Sequence, residues 1–336
     1  EGSTSVQVAR TKATWPAKKA VYRSIVFLLV ILAAYFSVSG LIEEPEVIDR
    51  SIAVLPFVNM SNDPEQEYFS DGISEEILNV LAKVSELKVI GRTSSFYFKG
   101  KNEDLRVIGE KLGVGHLLEG SVRKDGNTVR ITAQLIRTTD GSHLWSETYE
   151  RKMENVFQLQ DEIASKVLAQ LKLKLLGTVT HFKTRSPEVQ RLLLQGRYFF
   201  NNANFEQALN HYEQAIALDS ADADIWTSLA QIHSIIGNSK FDEFEHRFRL
   251  VKYCVSKALS LDINSSDAHR LNGGALFFHD LLWEEARREC TLAIQLDSNN
   301  SDAFRNLAQV ERALGEFDNA ITHLKKAIDL NPLSYV

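Results

Sequence analysis

Small side chains recur at a fixed interval in the C-terminal part of the sequence. Ala286 and Ala320 stand 34 residues apart, as do Ala293 and Ala327, and Ala208 and Ala215 keep the same seven-residue step further upstream. A period of this length is too long for one helix or strand and fits a unit of two short helices, which cannot bury its apolar face alone and must stack on a neighbour. Where the two helices of a unit cross, a bulky side chain would hold them apart. The small residues Gly196, Ala230, Gly274 and Ala308 are therefore expected at the crossing in successive first helices.

The period is the signature of tetratricopeptide repeats. It divides residues 187–336 into four units, 187–220, 223–262, 267–300 and 301–334, the last at a truncated end. The second unit carries an insertion of about nine residues around Asn238 to Phe248, judged against the usual period. It is expected as a loop available for specific contacts. Stacked units form a superhelix whose concave face, lined by the first helix of each unit, takes extended peptides or partner helices. The candidate partner-binding residues are the polar positions Arg197, Asn201, Gln231, Arg270, Asn306 and Gln309 on those first helices.

At the other end, Ser24 to Ile42 is a run of nineteen residues without a charge. As a helix rising ~1.5 Å per residue it covers about 28 Å, close to the hydrocarbon thickness of a bilayer. Arg10, Lys12, Lys18, Lys19 and Arg23 precede it, whereas Glu43, Glu44, Glu46 and Asp49 follow with Arg50 alone positive. The positive-inside bias then assigns residues 1–23 to a basic cytoplasmic stub and 24–42 to a transmembrane helix. Residues 43–336 fall in the periplasm of a bacterium, anchored to its inner membrane. A cleaved signal peptide, with Ser37-Val38-Ser39 as the site, is the alternative and exports the same residues. The net charge of -6 is concentrated after the apolar run. So acidic a surface lacks the basic stripe that nucleic acid requires, and residues 43–336 are expected to contact none.

Between these parts lies an α+β domain, residues 50–176. Ser51 to Phe57 reads as a buried strand ending at Pro56, and Asn62 to Gly72 as a polar loop. Ile73, Ile77, Leu78, Leu81 and Val84 then share one helical face, with Glu75 and Glu76 suited to the first turn. Leu87 to Ile90 reads as a strand, Leu105 to Leu112 as a helix and Leu117 to Lys124 as a strand. A tight turn at Asp125-Gly126-Asn127 leads to alternating Val129, Ile131, Ala133 and Leu135, and then to Leu144 to Glu150. A final helix spans Val156 to Leu176. The stretches SIAVLPF, DPEQEYFSDGISEEI, GRTSSFYFKGK, LGVGHLLEGSVRKDG and DGSHLWSETYERKMENVFQLQDEIA resemble the TolB N-terminal-like (FlgO-like) domain. That resemblance implies a sensing module, such as follows the membrane helix in CadC-like winged-helix regulators or accompanies some class III adenylyl cyclases.

No catalytic constellation emerges. Gly113-x-Gly115 opens a strand rather than the helix that a phosphate site needs. Asp63, Glu65, Glu67, Asp71, Glu75 and Glu76 follow no calcium-loop spacing and read as a solvated run. Trp145 and Tyr149 read as core. Cys254 and Cys290 fit neither a metal site nor a disulfide framework. No cofactor or metal is expected. The function expected is that of a non-enzymatic, membrane-anchored sensor or scaffold that binds protein partners through its repeats. The alternative is the accessory region of a class III adenylyl cyclase, or of a winged-helix regulator, with the output domain upstream of residue 1.

Overall fold

The computed structural model describes residues 49–63, 66–152, 158–171, 185–239 and 241–334. The apolar run 24–42 and the basic stub lie outside the described residues. Among the described residues no helix is long and apolar enough to cross a membrane.

Residues 51–170 build a mixed sheet with helices. The strands are β1 (Ser51–Val54), β2 (Val58–Asn59), β3 (Lys88–Val89), β4 (His116–Asp125), β5 (Thr128–Arg137) and β6 (His143–Lys152). Their order is β3-β1-β4-β5-β6, with β2 beside β4. β1 pairs parallel to both β3 and β4, so it is central, and Pro56 falls just beyond its end, where no ladder bond is lost. The ten-residue strands β4, β5 and β6 form an antiparallel meander, with Val129, Ile131, Ala133 and Leu135 all turned into the core. Tyr149 is also core, its ring 6.5 Å from that of Trp145.

Helix α1 (Glu67–Ala82) begins well before the expected site after Gly72. Turn-forming residues are overridden here by packing. Phe69 is buried with Ile73, Ile77 and Leu81, and Ser74 Oγ donates to Ser70 O and accepts from Phe57 N at 2.8 Å. Glu75 and Glu76 consequently lie in the third turn, not the first. The short α2 (Arg92–Phe96) and α3 (Leu105–Leu112) follow, and α4 (Gln158–Gln170) is the described part of the final helix.

The repeats are four helix pairs. They are α5 (Pro187–Asn201) with α6 (Phe205–Leu218), α7 (Ala223–Ser239) with α8 (Phe244–Leu261), α9 (Ser266–Ala275) with α10 (Trp283–Leu296), and α11 (Ser301–Leu314) with α12 (Phe317–Leu330). Ser186, Asn204, Ser265 and Asn300 cap helix starts with side-chain oxygens. Two expectations are corrected. The insertion in the second unit is not a long loop: it lengthens α7 and α8 to 17 and 18 residues and leaves one 3-10 turn, Phe241–Glu243. Phe248, inside it, is buried.

The crossing glycine of the third unit is Gly273, not Gly274. A Cβ on Gly273 would meet Cys290 Sγ at 2.6 Å, whereas one on Gly274 would only touch Asn306 at 3.6 Å. Gly196 behaves like Gly273, its missing Cβ lying 2.4 Å from the Tyr212 ring. The one-residue offset has a local cause: Leu276–Asp280 is a π-helical turn, which absorbs an extra residue before the second helix begins.

Three of the within-unit turns hold a left-handed residue immediately before the N-cap of the second helix. Gly315 supplies it in the fourth unit at φ 83°, but Ala203 and Leu281 are held there at φ 58° and 56°. A Cβ is disfavoured in that conformation. Ala203→Gly and Leu281→Gly should each raise stability by about 0.5–1 kcal/mol, read as a higher midpoint in chemical denaturation. An unchanged or lower midpoint for both would show that these turns carry no strain.

Candidate functional site: the inner face of the repeats and its clasp

The superhelix is held against the α/β domain at both ends. At the first repeat, α1 lies along α5. Gly72 makes the close approach possible, since a Cβ there would stand 2.5 Å from Leu194 Cδ2. Beside it, Arg197 of α5 donates Nη1–H to Glu76 of α1 in a buried ion pair. Asn201 Nδ2 reaches Glu75 Oε2 at 3.4 Å, and the same carboxylate accepts from Arg92 Nε at 2.8 Å.

At the other end, in the turns just before α11 and just after α12, two asparagines make backbone-like bonds to the α/β domain. Asn299 donates through Nδ2 to Ala82 O and Leu87 O at 2.8 and 3.0 Å, and accepts from Val89 N at 3.1 Å. It thereby finishes both the end of α1 and the edge strand β3. Asn331 Oδ1 accepts from Ser94 N at 3.0 Å and from Ser94 Oγ, which in turn accepts from Leu333 N at 2.7 Å. Gly91 N donates to Leu330 O at 2.7 Å, and Lys88 Nζ to Asp329 Oδ1. Leu333 packs on the cluster that includes Ile90, Phe98 and Leu112.

The six polar positions expected on the inner face divide into three pairs. Arg197 and Asn201 are engaged by α1 within the chain. Arg270 is buried and donates Nε–H to Asp267 Oδ1 at 2.9 Å, while its carbonyl accepts from Asn306 Nδ2 at 3.4 Å, so this pair ties α9 to α11. Gln231 and Gln309 are half-buried. Each directly follows the small crossing residue of its unit, Ala230 or Ala308, the place that Arg197 holds after Gly196.

The charges of this face act on one another. Glu76, Glu75 and Asp224 raise the Arg197 guanidinium above its ordinary pKa against the opposing effect of burial. Against burial, Arg270 above all, then the Asn300 hydrogen bond and last Arg197 lower Asp267. Side chains from the first helices of units one, two and three therefore share one electrostatic environment. Arg185, just before α5, joins units one and two with two hydrogen bonds to Asp222 and one to Asp224.

Four carboxylates of the acidic run, Glu67, Asp71, Glu75 and Glu76, are engaged by cations rather than simply solvated, whereas Asp63 is exposed and Glu65 lies outside the described residues. Lys99 holds Asp71 and Glu67 at 2.6 and 2.8 Å, Arg92 holds Glu75, and Arg197 holds Glu76. Burial still pushes Asp71 above the usual carboxylate range. Among the described residues no group of three or more His, Cys, Asp or Glu is placed to hold a metal ion. Cys254 and Cys290 are buried free thiols, each pushed up to about 12, mainly by burial.

Two titrations mark the repeats. Asp297, beside the Asn299 contact, is raised to about 6 by burial. His233 is lowered to about 4 by burial and by the neighbouring Arg247, which lies 3.1 Å from its Nδ1. The folded protein keeps His233 neutral while the unfolded chain takes up a proton below ~6.5. Its contribution is therefore fully present above pH ~6.5 and is lost as pH falls toward the folded value. Relative to the parent, a His233→Gln variant should lose roughly 2–3 kcal/mol less between pH 6.5 and 4, measured by denaturation at each pH. Parallel pH profiles for the two proteins would refute this.

Comparison with known proteins agrees with this division. Residues 48–166 match the second domain of HilA/YgeH-like transcriptional regulators, residues 196–235 match a TPR repeat, and residues 301–334 a tetratricopeptide repeat. The chain thus carries a HilA-like α/β domain followed by tetratricopeptide repeats. It is 44% identical over 189 residues to the provisionally named adenylate cyclase 3 of Rhizobium meliloti (strain 1021), covering 54% of this chain and 32% of that protein. It is 26% identical over 183 residues to a DnaJ homolog subfamily C member 7 homolog of Dictyostelium discoideum, covering 51% of this chain and 33% of that one. The chain thus spans about a third of the length of each of these curated relatives. Among solved structures, a thermophilic TPR protein of Thermus thermophilus aligns with TM-score 0.38 and 14% identity, covering 54% of this chain and 84% of that one.

The sequence pointed to Arg197 and Asn201 as polar inner-face positions, but not to their partners. Nothing periodic marks Glu75, Glu76, Ser94, Asn299 or Asn331. The one signal in the sequence is that Glu75 and Glu76 lie off the apolar stripe formed by Ile73, Ile77, Leu81 and Val84.

Proposed function

We propose that this protein is a non-catalytic sensor or scaffold that binds protein partners on the inner face of its repeats and passes the event to a regulatory output. The observation that carries this reading is the set of inner-face polar side chains, Gln231 and Gln309 above all, repeated in register with Arg197 on stacked first helices. Repeat arrays of this kind present extended surfaces for peptides and helices. The match to a transcriptional-regulator domain supports a regulatory setting.

In this proposal residues 24–42 anchor the chain in a bacterial inner membrane, with the N-terminus cytoplasmic and residues 43–336 periplasmic. The long apolar run and its charge asymmetry support that topology. The α/β part also resembles the TolB N-terminal-like domains attached to CadC-like regulators and class III cyclases. The identity to the R. meliloti protein favours a cyclase as the output.

A photo-crosslinking residue at Gln231 or Gln309 should capture a discrete protein partner in cells, and the same residue at exposed Glu206 on α6 should not. Equal capture at both positions would refute inner-face binding. A periplasm-dependent reporter fused after Val336 should be active, and activity of a cytoplasm-dependent one instead would overturn the topology.

A further inference from the structure

The inner face of the first repeat already holds a helix. On α1, the residue that allows close approach and the two carboxylates that meet α5 fall at Gly72, Glu75 and Glu76, spaced i, i+3 and i+4, so they share one helical face. Leu194, Arg197 and Asn201, at i, i+3 and i+7 along one face of α5, meet Gly72, Glu76 and Glu75 respectively. Arg197 is the most demanding of these groups. A buried guanidinium left without a carboxylate is costly, so this surface selects an acidic partner.

Resting on the reading that the repeats bind protein, we propose that α1 acts as an internal ligand, and that the partner of this face is an acidic helix. That helix presents a small residue followed at i+3 and i+4 by two carboxylates, and displaces α1 from α5. Two features make α1 displaceable as a unit with its domain. The far end of the clasp rests mainly on hydrogen bonds and one ion pair, those of Asn299, Asn331, Ser94, Gly91 and Lys88, to which Leu333 adds an apolar contact. The near end rests on the Glu76–Arg197 and Glu75–Asn201 contacts and the Gly72–Leu194 approach. The polar bonds at both ends are of the kind that a competing ligand can replace.

The test uses the full chain and, as probe, a stapled fluorescent helix of residues 66–84. The parent chain should bind this probe weakly, because its own α1 holds the site. Two chain variants, Glu75→Gln/Glu76→Gln and Asn331→Ala, loosen opposite ends of the clasp. Each should bind the probe at least tenfold more tightly by fluorescence anisotropy. A probe carrying Gln in place of both acids should lose at least tenfold on either variant, as should the acidic probe on a chain that adds Arg197→Gln. Equal binding of acidic and Gln probes would overturn the proposal, as would failure of both loosened chains to exceed the parent. If the Glu75/Glu76 variant does not fold, Asn331→Ala decides alone. This experiment needs no natural partner, so its outcome is separate from the crosslinking test of inner-face binding.

Discussion

Truncating Glu76 to alanine should destabilise the protein by about 3 kcal/mol, near the lower end of what removal of one member of a buried ion pair costs. The side chains of Glu76 and Arg197 are 7% and 18% exposed, so water can do little to solvate the guanidinium left behind. Glu75 remains nearby and acts on the same cation, which is why the lower end applies. The double change Glu76→Leu/Arg197→Met removes both charges and should cost clearly less than the single truncation, since no orphaned ion remains. Urea denaturation of the two variants against the parent checks the order. A loss below about 1 kcal/mol for Glu76→Ala would place the pair with exposed salt bridges and remove the clasp's main electrostatic contact.

Phe248→Ala should cost about 3–5 kcal/mol, as for other buried aromatic truncations. The ring is 1% exposed. It packs 4.6 Å from Phe244 and lies nearly parallel to His279 at 5.3 Å, so it joins α8 to the π-helical turn of the next repeat. The damage should extend to both repeats, with faster hydrogen exchange in α8 and α9 together. Thermal unfolding should fall by roughly 10 °C at the usual few degrees per kcal/mol. A small loss confined to α8 would mean that the insertion in the second unit is peripheral after all.

Much of the repeat region could be read from residue spacing because its determinants are local. A small residue at the crossing, a cap just before the first core position, and apolar side chains every three or four residues all act within one unit. Spacing failed at single positions for reasons also seen locally. Gly274 fits the 34-residue count back from Ala308, but the π-helical turn at Leu276–Asp280 shifts the register and hands the crossing to Gly273. The start of α1 is hidden in the sequence because Ser70, Asp71 and Gly72 favour a turn when taken alone. Burial of Phe69 and the approach of Leu194 make them helical.

What composition and periodicity established about this protein was the number and kind of its parts: a meander-bearing α/β domain and four helix pairs. They also named Arg197 and Asn201. Only the tertiary structure decided that those two side chains meet Glu76 and Glu75, more than a hundred residues away, and that Asn299 and Asn331 bind the opposite edge of the same domain. The physical reason is that periodicity records which face of a helix is covered, whereas a single ion pair or amide contact between distant segments leaves no repeating mark on either one.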